Sequence, residues 1–153
     1  MTIGNSTEDY LKSILILQVK QGYVRSVDVA KELGVTKPSV CIAMKKLREM
    51  KLIRDDDSGG IQLTKAGRKL AEEVVKKHTL IKNFLISIGV DEATAAQEAC
   101  QIEHAIGEET CKRLEQLYER ELTQGGNAGS GVGIEQKTKG ETEYDEIGTG
   151  KTR

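Results

Sequence analysis

Two short helical segments joined by a tight turn, at residues 26–51, are the feature that most constrains the fold. The first, SVDVAKELG, begins with a capping serine, Ser26, and ends at Gly34, a residue that favours helix C-termini. The second, TKPSVCIAMKKLREMK, places the chain's only proline, Pro38, in its first turn, where the missing N–H costs nothing. Two such helices with a short connection predict a helix-turn-helix.

The segment after this motif, LIRDDDSGGIQL, predicts a β-hairpin, because two β-prone runs flank a cluster of Asp, Ser and Gly. A hairpin that directly follows a helix-turn-helix is a wing. Upstream, STEDYLKSILILQVKQG has apolar residues at helical spacing after a capping residue, Ser6 or Thr7, and predicts an amphipathic helix. Residues 1–75 are therefore expected to form a winged helix-turn-helix domain.

The chain after the wing is predicted to be helical. One long helical pattern starts at Thr64, another follows a capping Asp91, and a last one covers EETCKRLEQLYEREL. Residues 76–122 are expected to form an α-helical dimerisation domain, so the fold class is mainly α. Residues 123–153 hold eight of the sixteen glycines and few apolar residues, which predicts a disordered Gly-rich tail.

Charge is unevenly distributed along the chain, although the net charge is only −1. Residues 21–54 carry eight Lys and Arg against three Asp and Glu, whereas residues 88–122 carry three against nine. A basic segment beside an acidic one suits an anionic partner, such as nucleic acid, at one end and a cation at the other. Solvated helix faces are often charged this heavily, and this explanation stays open.

The hydropathy pattern and the cysteine content also indicate the cellular compartment of the protein. No apolar run reaches the roughly 18 residues of a membrane span, and the start of the chain lacks the pattern of a signal peptide. The three cysteines are an odd number at irregular spacing, which favours a reducing environment over a disulfide framework. A cytoplasmic protein with no membrane partner is expected.

The second helix of the helix-turn-helix is expected to meet double-stranded DNA. Such a helix lies in the major groove, where its first residues reach base edges and flanking cations contact phosphates. Residues 37–54 contain six basic residues and a single acid, Glu49, as a phosphate-facing surface would. The candidate DNA-binding residues are Arg25, Thr36, Lys37, Pro38, Ser39, Cys41, Ile42, Lys45 and Lys46. Winged helices also serve as protein-interaction modules.

The stretch EACQIEH places a thiol, a carboxylate and an imidazole at Cys100, Glu103 and His104, on one face of a helix. Further candidate donors are Glu8, Asp9 and His78. Mixed sulfur, nitrogen and oxygen ligands suit Fe(II), Zn(II), Ni(II) or Co(II), whereas oxygen alone favours Mn(II) or Mg(II). Taken singly, the same residues could be a buried thiol, a solvated acid and a core histidine. No nucleophile elbow, phosphate-cradling loop or HExxH pattern occurs, so an enzyme is not expected.

The order of these elements, together with the motifs KKH and CxxEH, resembles the diphtheria toxin repressor family of iron- and manganese-dependent repressors. The resemblance covers about residues 6–122. It implies a winged domain that binds operator DNA, helices that form a homodimer, and a divalent metal that links the N-terminal helix to the dimerisation helices. The family's metal-ligand pattern falls on Asp9, His78, Cys100, Glu103 and His104.

Several positions depart from the family pattern. Asp9 resembles the manganese branch, whereas Cys100 resembles the iron branch. Lys12 stands where the manganese branch has a second acid, and its charge would repel a second metal. Lys82 and Ala96 stand where the iron branch has ligands of an ancillary site, so one well-formed metal per subunit is expected. The tail is too short to be the SH3-like domain of the iron branch, which predicts a short form.

The sequence therefore predicts a metal-activated, DNA-binding homodimer, a repressor of metal-uptake genes that acts on a pseudo-palindromic operator. Fe(II) is the expected metal, with Mn(II) next. The alternative is a winged-helix protein-interaction or scaffolding module without metal.

Overall fold

The computed structural model describes residues 5–124 and has the expected fold class, mainly α with a winged helix-turn-helix. In chain order the elements are α1 (Asn5–Gln21), α2 (Ser26–Leu33), α3 (Lys37–Glu49), β1 (Ile53–Asp55), β2 (Ile61–Leu63), α4 (Lys65–Ser87), α5 (Glu92–Ala105) and α6 (Glu108–Gln124). The two strands pair antiparallel, with Arg54 opposite Gln62, and form the predicted wing.

α1 is the central element of the N-terminal half. Every residue from 11 to 17 is buried, and Leu11, Ile14 and Leu15 belong to one core cluster with residues of α2, α3 and both strands. α1 packs against α2, α3, β2 and α4. A helix surrounded in this way has no fully solvated face over its middle turns, and even its charged residue Lys12 is buried there.

Side-chain caps explain where three of the helices begin. Thr36, Thr64 and Asp91 accept hydrogen bonds from the backbone N–H groups of Ser39, Gly67 and Thr94. These bonds satisfy N–H groups that have no partner within the first turn of a helix. The predicted starts at Thr64 and Asp91 are therefore confirmed.

Two other predicted caps are wrong. α1 already begins at Asn5, so Ser6 and Thr7 lie within the helix. α2 is capped at Arg25 instead of Ser26, because the Asp28 carboxylate accepts the Arg25 backbone N–H at 2.8 Å.

α4 continues unbroken through residue 75 and packs on both α1 and α5. The expected domains, residues 1–75 and 76–122, therefore share this helix, and their division stays a prediction. α6 extends two residues beyond residue 122, and the remaining predicted tail, residues 125–153, lies outside the described residues. Among residues 5–124, no helix is long and apolar enough to cross a membrane.

Candidate metal centre and nucleic-acid interface

Three helices bring the candidate metal-binding side chains to one place. α1 contributes one donor, α4 one, and the C-terminal half of α5 three. The donors form two groups, within each of which all ligand atoms lie within 4.8 Å of one another. One group is His78, Cys100 and Glu103, and the other is Asp9, Glu103 and His104. All five side chains predicted to bind metal are thus neighbours.

Glu103 lies at the centre of this cluster and belongs to both groups. Its side chain is completely buried, with Oε2 2.7 Å from His78 Nδ1 and Oε1 2.7 Å from Lys12 Nζ. Burial by itself would raise the pKa of Glu103, but the hydrogen bond with His78 and the charge of Lys12 lower it overall. The carboxylate is therefore ionised at neutral pH and able to act as a ligand.

Cys100 adds sulfur to the cluster. Its Sγ lies 3.7 Å from His78 Nδ1 and 3.8 Å from Lys12 Nζ. The hydrogen bond with His78 lowers the pKa of the Cys100 thiol, which favours the metal-binding thiolate. Burial opposes protonation of His78, but its hydrogen bonds with Cys100 and Glu103 outweigh burial and raise its pKa.

His104 joins α5 to α1. Its Nε2 lies 2.9 Å from Asp9 Oδ1 and 3.4 Å from Glu103 Oε1, while its Nδ1 lies 2.8 Å from Glu8 Oε2. A carboxylate at one ring nitrogen fixes the orientation of the imidazole and leaves the other nitrogen for a ligand site. Glu8 therefore holds His104 with Nε2 toward Asp9 and Glu103.

Lys12 and Glu8 also belong to the cluster. Glu8 was a candidate donor but not one of the five predicted ligands, and it contacts His104 Nδ1. Lys12 was expected only to repel a second metal, whereas its ammonium lies between the Glu103 carboxylate and the Cys100 thiol. The available signal was helical spacing, since residues 8, 9 and 12 share one face of α1.

The donors present fit a divalent transition metal, because they combine thiolate, imidazole and carboxylate. His78 belongs to this donor set although it is only 1% exposed. Its Nδ1 is the ring nitrogen that contacts Glu103 Oε2 and Cys100 Sγ.

The positions that correspond to the ancillary site of the iron branch hold an ion pair instead. Lys82 Nζ lies 3.1 Å from Glu92 Oε1, and Ala96, which follows Glu92 by one turn of α5, carries no donor atom. The Lys82 ammonium and the Ala96 methyl group therefore offer no ligand atom to a metal ion.

α3 carries seven of the nine side chains that were predicted to contact DNA, and the other two, Arg25 and Thr36, precede α2 and α3. All nine candidates are exposed, namely Arg25, Thr36, Lys37, Pro38, Ser39, Cys41, Ile42, Lys45 and Lys46. Ile42 is 72% exposed, which suits an apolar contact with a thymine methyl group. Arg48 differs, because two hydrogen bonds of 2.8 Å join its guanidinium to Asp55 of β1 and raise the pKa of Arg48. It braces α3 on the wing.

Comparison with known protein families identifies both halves of the chain. Residues 2–61 match "Iron dependent repressor, N-terminal DNA binding domain". Residues 64–121 match "Iron dependent repressor, metal binding and dimerisation domain". The boundary between the two matches lies at the end of the wing.

Individual relatives agree with these matches. The chain is 34% identical over 120 residues to an uncharacterized HTH-type transcriptional regulator of Methanocaldococcus jannaschii, covering 77% of this chain and 96% of that protein. It is 39% identical over 103 residues to the transcriptional regulator MntR of Escherichia coli, covering 67% and 66%. The structure of the manganese regulator SloR matches with a TM-score of 0.67 and 31% identity, covering 78% of this chain and 55% of that one.

The chain thus spans about two thirds of MntR and about half of SloR. The two family matches together cover most of the chain, and their order follows the helix-turn-helix, wing and helical segments of the structure. This protein belongs to the iron-dependent repressor family, the diphtheria toxin repressor family of metal-dependent transcriptional regulators.

Proposed function

We propose that this protein is a metal-activated repressor that binds a pseudo-palindromic operator as a homodimer and controls metal-uptake genes in the cytoplasm. The contact between α1 and α5 carries the proposal, since His104 Nε2 lies 2.9 Å from Asp9 Oδ1 across 95 residues of sequence. α1 packs on α2 and α3, so this contact joins the DNA-binding half to the helices that match the dimerisation domain. The proposed role is regulatory and not catalytic.

The proposed metal ligands are Asp9, His78, Cys100, Glu103 and His104. When bound, a divalent metal would supply a concentrated positive charge shared by donors from α1, α4 and α5. The Cys100 thiolate favours Fe(II), while the carboxylates would also accept Mn(II). We therefore propose Fe(II) first and Mn(II) next, and similarity to both an iron-dependent family and a manganese regulator supports this pair.

The positions of the proposed ligands explain how metal binding would change the orientation of the winged half relative to α5. Asp9 belongs to the helix that supports the winged half, whereas Glu103 and His104 belong to α5. Without metal, the donors of α1 and α5 are only loosely fixed relative to each other, so the two winged halves of a dimer sample many orientations, and only a fraction of these matches the half-sites. With metal bound by both helices, the range of orientations would be narrower. A coupling of about 1–3 kcal/mol, or roughly 5–150-fold in affinity, would be ordinary for such a switch.

We propose that α3 enters the major groove, with Ser39, Cys41 and Ile42 toward base edges and Lys45 and Lys46 toward phosphates. Two-fold symmetry then requires half-sites about one helical turn apart, roughly 10 base pairs, or a multiple of that. Sedimentation with metal present at micromolar protein should show a dimer. A monomer under these conditions would contradict the proposed assembly.

Metal content tests the proposal most directly. Wild type, His104→Ala and the control Glu98→Ala, an exposed acid of α5 outside the cluster, are purified without oxygen and subjected to elemental analysis. We expect stoichiometric metal in wild type and in the control, and a large loss in His104→Ala. Metal absent from all three proteins would favour a winged-helix interaction or scaffolding module instead.

A further inference from the structure

Lys12 is a buried lysine inside the metal centre. It is 8% exposed, and its ammonium donates to Glu103 Oε1 at 2.7 Å and lies 3.8 Å from Cys100 Sγ. Removing a charge from water is costly unless a partner compensates it, and here the partner carboxylate is completely buried. The ammonium is therefore an integral part of the cluster and not a surface charge resting on it.

The position of this ammonium determines what else the cluster can hold. The two donor groups, His78–Cys100–Glu103 and Asp9–Glu103–His104, share the Glu103 carboxylate, so between them they could surround two cations. Glu103 Oε1 already accepts from Lys12, and the same oxygen lies 3.4 Å from His104 Nε2. The carboxylate that both groups share is thus already bound to one cation, a side chain of the protein itself.

We propose that Lys12 is a built-in cation of this centre: its ammonium takes the place of a second metal ion and links α1 to α5 when no metal is bound. The inference rests on the proposed function and deepens it by fixing the metal stoichiometry at one per chain. A second divalent ion would have to displace the ammonium from Glu103 or lie beside it, and like charges at such distances repel strongly in a buried site.

The same contact has a consequence for the metal-free protein. Lys12 and Glu103 lie 91 residues apart and belong to α1 and α5, so their ion pair joins the two halves through the same helices that the metal ligands join. The metal-free protein therefore keeps part of the connection, and metal tightens an arrangement that is already partly formed.

The first test measures stoichiometry. Mn(II) is titrated anaerobically into metal-free protein, and free Mn(II) is counted by electron paramagnetic resonance. We expect one ion per chain for wild type and two for Lys12→Glu, which removes the cation and adds an oxygen donor. Lys20→Glu makes the same charge change at an exposed position of α1 and should bind one. Two ions in wild type, or one in Lys12→Glu, would overturn the inference. No ion in wild type would instead overturn the proposed function.

The second test needs no metal. Amide hydrogen exchange is compared in metal-free wild type, Lys12→Met and Lys82→Met, a control that removes another lysine of 8% exposure from its ion pair with Glu92. Breaking the buried pair leaves Glu103 Oε1 without its cationic partner, so exchange around residues 9–12 and 100–104 should accelerate about tenfold or more in Lys12→Met only. Equal acceleration in both variants, or none in Lys12→Met, would show that Lys12 does not link the helices.

Discussion

At the scale of single residues, Cys100 is the donor that most affects the choice of metal. Its thiol has a lowered pKa and lies beside His78, so a soft thiolate ligand is available. We predict that Cys100→Glu shifts the preference from Fe(II) toward Mn(II), on the order of tenfold, because a hard oxygen replaces sulfur. Operator binding titrated with each metal without oxygen measures this, with Cys111→Ser of α6 as the thiol control. An unchanged metal ranking would mean that Cys100 is not a ligand.

Two lysines of α3 allow a similar test of the DNA interface. Lys45 and Lys46 are exposed, and their ammonium groups would neutralise phosphates. Each change to Ala should weaken binding to specific and unrelated DNA alike and reduce the slope of log affinity against log salt by about 0.9. Lys112→Ala, an exposed lysine of α6, is the control. Slopes that stay the same in both α3 variants would place that helix face away from DNA.

The five proposed metal ligands could be grouped from the sequence, three by their spacing on one helix and two, Asp9 and His78, by the family pattern. Cys100, Glu103 and His104 lie within two helical turns, and the motif around His78 matches the family pattern. The partner of Lys12 could not be predicted in the same way. Glu103 is 91 residues away, and the ion pair depends on how α1 and α5 pack on α4, which no local spacing encodes.

At the scale of elements, the wing depends on one carboxylate. Asp56 Oδ1 accepts the backbone N–H groups of Ser58 and Gly60 at 2.9 and 2.8 Å, along with the Ser58 hydroxyl. The hydrogen bond from Gly60 contributes most to lowering the pKa of Asp56. A lowered acid pKa stabilises the fold above the unfolded pKa, about 4, and the contribution is lost as pH falls through the folded pKa.

We therefore predict that the wing loosens as the solution becomes more acidic than about pH 4. Asp56→Asn should remove this pH dependence and weaken the wing at neutral pH, because the amide accepts more weakly than the carboxylate. The pH dependence is measured by nuclear magnetic resonance of the Gly60 amide between about pH 2 and 7, a range that includes the ordinary aspartate pKa of about 4. Asp57→Asn is the control, and it should behave like wild type. Equal acid responses in wild type and Asp56→Asn would exclude this carboxylate as the cause.

The first turn of α4 approaches the backbone at Leu52 closely, which is possible because Gly67 has no side chain. A Cβ at Gly67 would overlap the backbone carbonyl of Leu52, which cannot move aside as a flexible side chain could. We predict that Gly67→Ala destabilises the protein by about 1–3 kcal/mol, although Ala favours helix by about 1 kcal/mol. Urea unfolding measures this. The reverse change nearby, Ala66→Gly at an exposed position, measures the effect of helix propensity alone. If Gly67→Ala stabilised the protein instead, helix propensity would determine the stability change at both positions.

Helix order, the wing and most helix ends were predictable, because caps and apolar spacing are short-range signals. The start of α2 was not. Serine is a usual cap, but Asp28 reaches back to the Arg25 N–H and fixes the cap at Arg25, so that Ser26 is the first residue of the helix. Two adjacent candidates differ by too little in local preference for sequence to choose between them.

At the scale of the whole molecule, the apolar core and the charged centre stabilise different parts of the structure. Among residues 5–124, the apolar core cluster contains residues of α1, α2, α3, both strands and the first half of α4, and none from α5 or α6. α5 buries mainly the small residues Ala95 and Ala99. The winged half is therefore held together by its own core. Its connection to α5 relies on α4 and on polar contacts of Asp9, Lys12 and His104.

Because the core and the polar contacts with α5 are separate, the effect of Asp9→Ala on stability and on metal response can be predicted. The side chain is partly exposed and lies outside the apolar core, so unfolding stability should change little, by roughly 0.5 kcal/mol or less. Metal binding should weaken without being lost, because His78, Cys100, Glu103 and His104 remain. The metal response of operator binding, roughly 5–150-fold in wild type, should largely disappear, since α1 no longer contributes a metal ligand.

Fluorescence anisotropy of a labelled operator, titrated with Asp9→Ala in the presence and absence of Mn(II), measures this uncoupling. Calorimetry of the same protein with Mn(II) establishes that metal still binds. Glu98→Ala, which removes an exposed acid from α5, should keep the full response. A full metal response in Asp9→Ala would mean that the signal reaches the winged half through α4, where His78 lies, and not through α1.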